Sequence, residues 1–133
     1  MSTTDILEAA LSALNAFPYS PTPTILWPGI QSSPPDEGIW LVPGLFPNET
    51  RDIAWDNDSC VDTRGFFQIL VYYRPGQGQI EPSELADALV SYFPKGSGIG
   101  PVRVRKRPWQ SPAVVEDADR IFIPVTVPYE GLT

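Results

Sequence analysis

The chain contains no histidine. That absence removes the commonest general base, the commonest metal ligand and every Ser-His or Cys-His nucleophile pair. Cysteine is nearly missing as well. Cys60 stands alone, so no disulfide can form within the chain. With Asp58 and Asp62 beside it and no imidazole to activate it, its thiol reads as inert. Long apolar runs are also lacking, and no stretch reaches the ~18 residues that a membrane span needs. The opening MSTTDILEAALSAL carries Asp5 and Glu8 where a secretory leader would carry basic residues, so a cytoplasmic site of synthesis is expected.

Positive charge is scarce and unevenly placed. Nine lysines and arginines face sixteen aspartates and glutamates, for a net charge of −7 over 133 residues. Arg103, Arg105, Lys106 and Arg107 supply four of the nine. A chain this acidic does not seek nucleic acid as a whole. Proline is abundant instead, with sixteen spread along the chain. Spread in this way, they punctuate strands and loops.

The length suits a single domain, residues 1–133, with a real core. Its organising stretch is RGFFQILVYYRPGQGQIEPSELADALVSYF, from Arg64 to Phe93. Phe67, Ile69, Val71 and Tyr73 alternate with Phe66, Gln68, Leu70 and Tyr72, which predicts a strand over 66–73. Arg74 to Gly78 is a turn, and a helix is predicted over 82–93, with Pro82 first and Leu85, Ala86, Leu89, Val90 and Phe93 as its apolar stripe. A first helix is predicted over 4–16, with Ile6, Leu7, Ala10, Leu11 and Leu14 on one side. Residues 18–35, with six prolines, read as an extended segment in which Thr24 to Trp27 is a short strand. A strand starting at Ile39 runs towards Phe46, with Pro43 marking a bulge or an edge. Residues 48–63 read as a long polar loop in which Thr50 to Trp55 pairs briefly. Trp27 and Trp40 are expected in the core.

Further on, Gly96 to Gly100 is a flexible turn and Pro101 to Arg107 a strand. Val102 and Val104 point one way, and Arg103, Arg105 and Arg107 the other. Pro108 to Pro112 turns the chain, and Glu116 to Asp119 is an acidic turn. Ile121 to Tyr129 forms the last strand, in which Pro124 and Pro128 remove donors along one edge, so full pairing of that edge is not expected. Glu130 to Thr133 is expected to fray. Together these elements predict an α+β fold: a mostly antiparallel β-sheet with two α-helices packed on one face.

Few patterns carry chemistry. Asp56-Asn57-Asp58-Ser59-Cys60-Val61-Asp62 begins like a calcium loop, but the turn glycine is missing and Phe67 stands where the bidentate carboxylate belongs. Gly96 to Gly100 follows a helix and precedes a strand, the reverse of a phosphate-cradling loop. Carboxylates are plentiful, yet no spacing picks out an acid–base pair. Neither a catalytic site, a metal site nor a cofactor is expected.

The candidates that remain are for contact with partners. Arg103, Arg105, Lys106 and Arg107 could meet phosphate, pair with acidic loops of a neighbouring copy, or form a solvated face. The global acidity argues for protein over DNA. Trp109 and Trp55 lie in polar stretches, and exposed tryptophans favour interfaces. Asp56, Asp58 and Asp62 are the acidic counterparts.

The order of these motifs resembles that of the tail terminator (head–tail joining) proteins of long-tailed bacteriophages. The likeness rests on Trp40-Leu41-Val42, Arg64 to Ile69, Val71 to Pro75 and Gly76-x-Gly78. It continues through Leu85 to Leu89 with Phe93, Val102 to Val104, and Val125 to Tyr129. It runs from Ile25 to Tyr129, after a family-like N-terminal helix. The resemblance implies a structural virion protein of the tail and neck, not an enzyme. It implies a homo-oligomeric ring, a hexamer, that caps the tail tube, stops its polymerisation and offers a surface to the head connector. DNA would pass through the lumen without sequence-specific binding. The alternatives are another neck, connector or tail completion protein, and a nucleic-acid-binding module using Arg103 to Arg107.

Overall fold

A computed structural model describes residues 3–18, 24–27, 38–47, 51–52, 61–76 and 78–132. In chain order its elements are α1 (Thr3–Asn15), β1 (Thr24–Ile25), β2 (Trp40–Pro47), β3 (Arg51–Asp52), β4 (Val61–Tyr73) and α2 (Ile80–Tyr92). There follow β5 (Gly98–Ile99), β6 (Val102–Val104), β7 (Trp109–Gln110), β8 (Val114–Asp117) and β9 (Arg120–Leu132). The fold is α+β. The strands form one sheet in the order β1-β2-β4-β9-β6-β5, with β3 on β4, and β7 and β8 on β9. Every pairing is antiparallel except β1 on β2.

The sheet is built on the ladder between β4 and β9. Asp62 to Tyr73 pairs with Ile121 to Leu132 without a break. Both strands are longer than their apolar alternation indicates. β4 begins at Val61, not Phe66, so Asp62 and Thr63 belong to a strand and not to the polar loop. The tail at Glu130 to Leu132 is strand and not frayed, because Asp62 to Arg64 gives its backbone groups partners.

The prolines of β9 decide what happens on its other edge. The carbonyls of Pro124 and Pro128 accept hydrogen bonds from the Ser111 and Arg105 amides at 2.9 and 2.8 Å. A strand residue points its N–H and C=O to the same side, so the donors these prolines lack also face away from β4. The β4 ladder therefore loses nothing. The opposite edge is filled in three pieces: β8 at 120–122, β7 at 125–126 and β6 at 129–130. The gaps between the pieces fall at the prolines. Pro43 follows the same rule on β2. Leu41 turns its carbonyl away from β4, accepting from the Leu26 amide, and Pro43, two residues on, shares that side. The β2–β4 register runs unbroken from Trp40 to Pro47, so Pro43 marks an edge and not a bulge.

Odd-numbered residues of β4 and β9 face the core. Phe67, Ile69, Val71, Ile123, Val125, Val127 and Tyr129 form one buried cluster with Leu41, with Ile6, Ala10 and Leu14 of α1, and with Leu85, Ala86 and Leu89 of α2. Burying a side chain of this size contributes about 1.5–3 kcal/mol. The helices also meet directly, since the Tyr92 hydroxyl donates to the Ala13 carbonyl at 2.7 Å. Helix α2 starts two residues before Pro82. The first turn has no use for a proline amide, so Pro82 fits there as well as at the first position. Val90 is half-buried at the edge of the stripe.

Gly96 to Gly100 proves structured. Gly98–Ile99 is strand, and Gly100, at φ +57°, starts the two-residue turn into β6. Hairpins of this length favour positive φ at that position. A Cβ there would stand 2.5 Å from Ala9 Cβ of α1.

Gly65 lies opposite Tyr129, whose ring covers it. A Cβ at Gly65 would sit 2.5 Å from the Tyr129 hydroxyl oxygen and 2.7 Å from the Phe46 carbonyl oxygen. Gly65→Ala is expected to destabilise the fold by about 1–3 kcal/mol, the usual cost of overpacking. Gly98→Ala, with open space around it, should change little. Urea midpoints at constant slope for the two variants check the contrast.

Candidate functional site

The cationic segment does not form the strand face that its alternation predicts. β6 ends at Val104, so only Arg103 alternates against the buried Val102 and Val104. Arg105 donates its amide to Pro128, and the chain then leaves the ladder towards Pro108, which has no N–H to continue it. The four cations separate accordingly. Arg103 forms an exposed ion pair with Glu130 at 3.3 Å. Register places Arg64 on the other side of Glu130, so that carboxylate lies between two arginines of neighbouring strands. Arg105 is half-buried, and its Nε is enclosed with no hydrogen-bond partner among the described residues. Lys106 and Arg107 are exposed, and among the described residues neither meets a carboxylate. Lys106 Nζ lies 4.9 Å from the centroid of the Trp109 ring, within cation–π range. Arg105 to Arg107 is thus a corner of the sheet with Trp109 beside it.

Trp109 is in strand β7, opposite Thr126, and 41% exposed. Gln110 next to it donates to the Asp87 carboxylate, which ties β7 to α2. Trp40 is buried, as expected, and Trp27 is half-buried. Trp55, Asp56 and Asp58 lie outside the described residues. Asp62 is on β4 at a register position between Arg51 and Leu132, so the pairing expected within 50–55 occurs at Arg51–Asp52.

Sequence reading missed a second feature, the hairpin of β8 and β9. Glu116 to Asp119 reads as a turn, but Val114 to Asp117 is a strand, exposed at all four positions. The signal was present in Val114-Val115, a β-branched pair ahead of an Asp-Ala-Asp turn. The Asp117 carboxylate accepts from the Asp119 amide at 2.8 Å and closes the tip. The hairpin is tied back to the sheet. The Tyr72 hydroxyl donates to Glu116 at 3.0 Å, and Arg120 Nη1 lies 4.0 Å from the same carboxylate. Tyr72 sits in an aromatic row on the face opposite the core cluster, between Trp40 (5.3 Å) and Phe122 (5.1 Å). Arg74 lies 5.0 Å over the Trp40 ring. Burial, and then the Glu116 carboxylate, push the Tyr72 hydroxyl up to about 12; burial alone pushes Tyr129 up.

The sign of the pH effect follows. A tyrosine whose pKa is raised on folding stabilises fully below its unfolded pKa, near 10, and loses that contribution as pH climbs through the folded value. Stability is therefore expected to fall between pH 10 and about 12. Tyr72→Phe should flatten that fall, while Tyr129 keeps its own share. At neutral pH the same variant should lose about 0.5–1.5 kcal/mol with the hydrogen bond. Denaturation at several pH values, with phenolate absorbance as a second readout, tests both.

This arrangement offers surfaces for contact. No described helix is long and apolar enough to cross a membrane. A search of curated proteins finds no match. Several solved structures resemble the chain, among them one with a TM-score of 0.70 and 27% identity, over 98% of this chain and 96% of that one. The family model described as phage tail terminator protein matches residues 4–129. That span takes in nearly all of both helices and of the β4–β9 ladder, the cationic corner and the β8–β9 hairpin, and the chain belongs to the phage tail terminator family.

Proposed function

We propose that this protein ends a phage tail: it closes into a ring on the finished tail tube, blocks further addition of tube protein and presents its other side to the head connector. The observation that carries this reading is the family match over residues 4–129. The chain acts as one domain, with both helices on one face of the sheet and the other face and sheet ends left for contacts. The ring is a homohexamer, located in the neck of the virion, with DNA passing through its lumen and no base-specific contact. Its role is structural and non-enzymatic.

The residues proposed to touch a neighbouring copy or a tail partner are Arg103, Arg105, Lys106, Arg107 and Trp109, together with Trp55, Asp56, Asp58 and Asp62. Support comes from the exposed corner at 106–107 and the half-exposed Trp109, which leave charge and apolar area unused within the chain. A head-to-tail contact between unlike surfaces generates a ring when the rotation per step closes.

The test uses polymerising tail tube protein. Adding the chain should halt growth and leave density at one end of each tube in negative-stain images, with native mass spectrometry giving six copies per ring. Tubes that keep growing, with the chain left unbound, would sink the reading. A salt-sensitive shift of DNA by the free chain, without tube binding, would instead indicate nucleic-acid contact through Arg103 to Arg107.

A further inference from the structure

Two surfaces flanking β9 carry opposite charge and cannot reach one another. At one end, the β8–β9 hairpin bears Glu116, Asp117 and Asp119 against Arg120 alone. Glu116 is occupied by Tyr72 and Arg120, and Arg74 donates to the Asp119 carbonyl at 3.5 Å, but the exposed carboxylates of Asp117 and Asp119 form no ion pair among the described residues. Beside them Val115 is 69% and Val114 44% exposed. Further along β9, beside Thr126 to Pro128, the cationic corner presents Lys106 and Arg107, which meet no carboxylate among the described residues, with Trp109 beside them. Arg105 bonds Pro128 and Trp109 pairs with Thr126, so the corner lies six to eight residues along β9 from Arg120, roughly 20–26 Å of extended strand. The Debye length at physiological ionic strength is about 8 Å, so the two patches do not neutralise each other within one chain.

We infer that the acidic tip of the β8–β9 hairpin in one copy docks on the cationic corner of the next, with Val114 and Val115 against Trp109. The occupant of each surface is a second copy of this chain. Three features favour it over a different partner. The two patches match in charge and each has apolar area at its margin. Both flank β9, the hairpin tip at its start and the corner beside 126–128, so each copy offers one patch of each kind. Lys106, Arg107, Asp117 and Asp119 are all exposed and none is in an ion pair among the described residues, so docking breaks no such pair. This deepens the ring reading and rests on it, and it assigns the acidic half of the contact to the hairpin.

Charge reversal tests the contact in the full chain. One variant carries Asp117→Lys and Asp119→Lys, and the other Lys106→Glu and Arg107→Glu. All four positions are exposed, and circular dichroism with a cooperative melt confirms folding. Should a reversal unfold the chain, Asp117→Asn with Asp119→Asn, and Lys106→Gln with Arg107→Gln, replace them; these neutral pairs should weaken assembly alone without recovery in mixture, and wild-type assembly by them overturns the contact. Assembly is read by analytical ultracentrifugation of the free chain and by the number of copies retained on tail tubes. Each variant alone presents like charges to itself and should assemble on the order of tenfold more weakly than the wild type. An equimolar mixture should recover assembly, because each copy then neighbours only the opposite kind. The chain carrying all four reversals should recover it too, whatever the ring size.

Recovery overturns the idea that either patch acts only locally. Variants that assemble as well as the wild type overturn the contact and leave the ring reading standing. Charge-reversal variants that fail alone, in mixture and in the fourfold chain also overturn it. A wild type that stays monomeric both free and on tubes removes the ring reading, and this contact with it.

Discussion

The ladder between β4 and β9 is the constraint on which the rest of the molecule depends, and proline is what makes it one-sided. A strand needs donors on both sides to sit in the middle of a sheet. β9 has a full set towards β4, while on the other side Pro124 and Pro128 remove donors at a four-residue interval. A single long partner on that side would meet two gaps. Three short strands meet none, because their breaks fall where the donors are missing. The segment from Val102 to Asp117 is therefore cut into pieces by the backbone chemistry of the strand it lies against. Its turns, including the cationic corner and the hairpin, are placed by those cuts.

The two faces of the ladder are apolar for different reasons. The odd-numbered face is closed by a cluster that includes Leu85, Leu89 and Leu14 of the helices. The even-numbered face holds a row of rings, Trp40, Tyr72 and Phe122, with a stacked Phe46–Phe66 pair further along. Tyr72 brings its hydroxyl to the margin of that row, where Glu116 accepts its hydrogen bond. One hydrogen bond thus links the sheet to the hairpin. It also engages Glu116, which is exposed like Asp117 and Asp119.

Much of the scaffold was legible in the sequence because it depends on periodicity. The helical stripes Ile6-Ala10-Leu14 and Leu85-Leu89 and the alternation of Phe67, Ile69 and Val71 are local signals with one reading. The lengths of β4 and β9 were not legible, since Asp62-Thr63-Arg64 and Glu130-Gly131-Leu132 have no apolar alternation. They are strands because each is the other's partner, a fact about pairing that a window of sequence does not contain. The cationic alternation at 103–107 misled for the same reason. The pattern was real, but whether it continued as strand depended on Pro128 across the ladder. Of the candidate contact residues, Lys106, Arg107 and Trp109 reach the surface as their types indicate. Arg103 is engaged by Glu130, and Arg105 is drawn half inside.

Edges bear on how copies of such a chain can meet. A long, flat, unpaired edge invites strand addition, which propagates without a fixed end. Here the outer side of β2 carries Pro43, and β8 is four residues long with Glu116 and Asp117 in it. Neither favours an extended ladder between copies. A contact made instead by side chains, a charged tip on a charged corner, holds its partner at one angle set by the strand that joins the two patches. For a head-to-tail contact that angle decides whether the assembly closes or runs on. If copies dock as proposed, a β9 braced by β4 over twelve paired positions would keep the angle the same at every step, which is the physical requirement for a ring of one size.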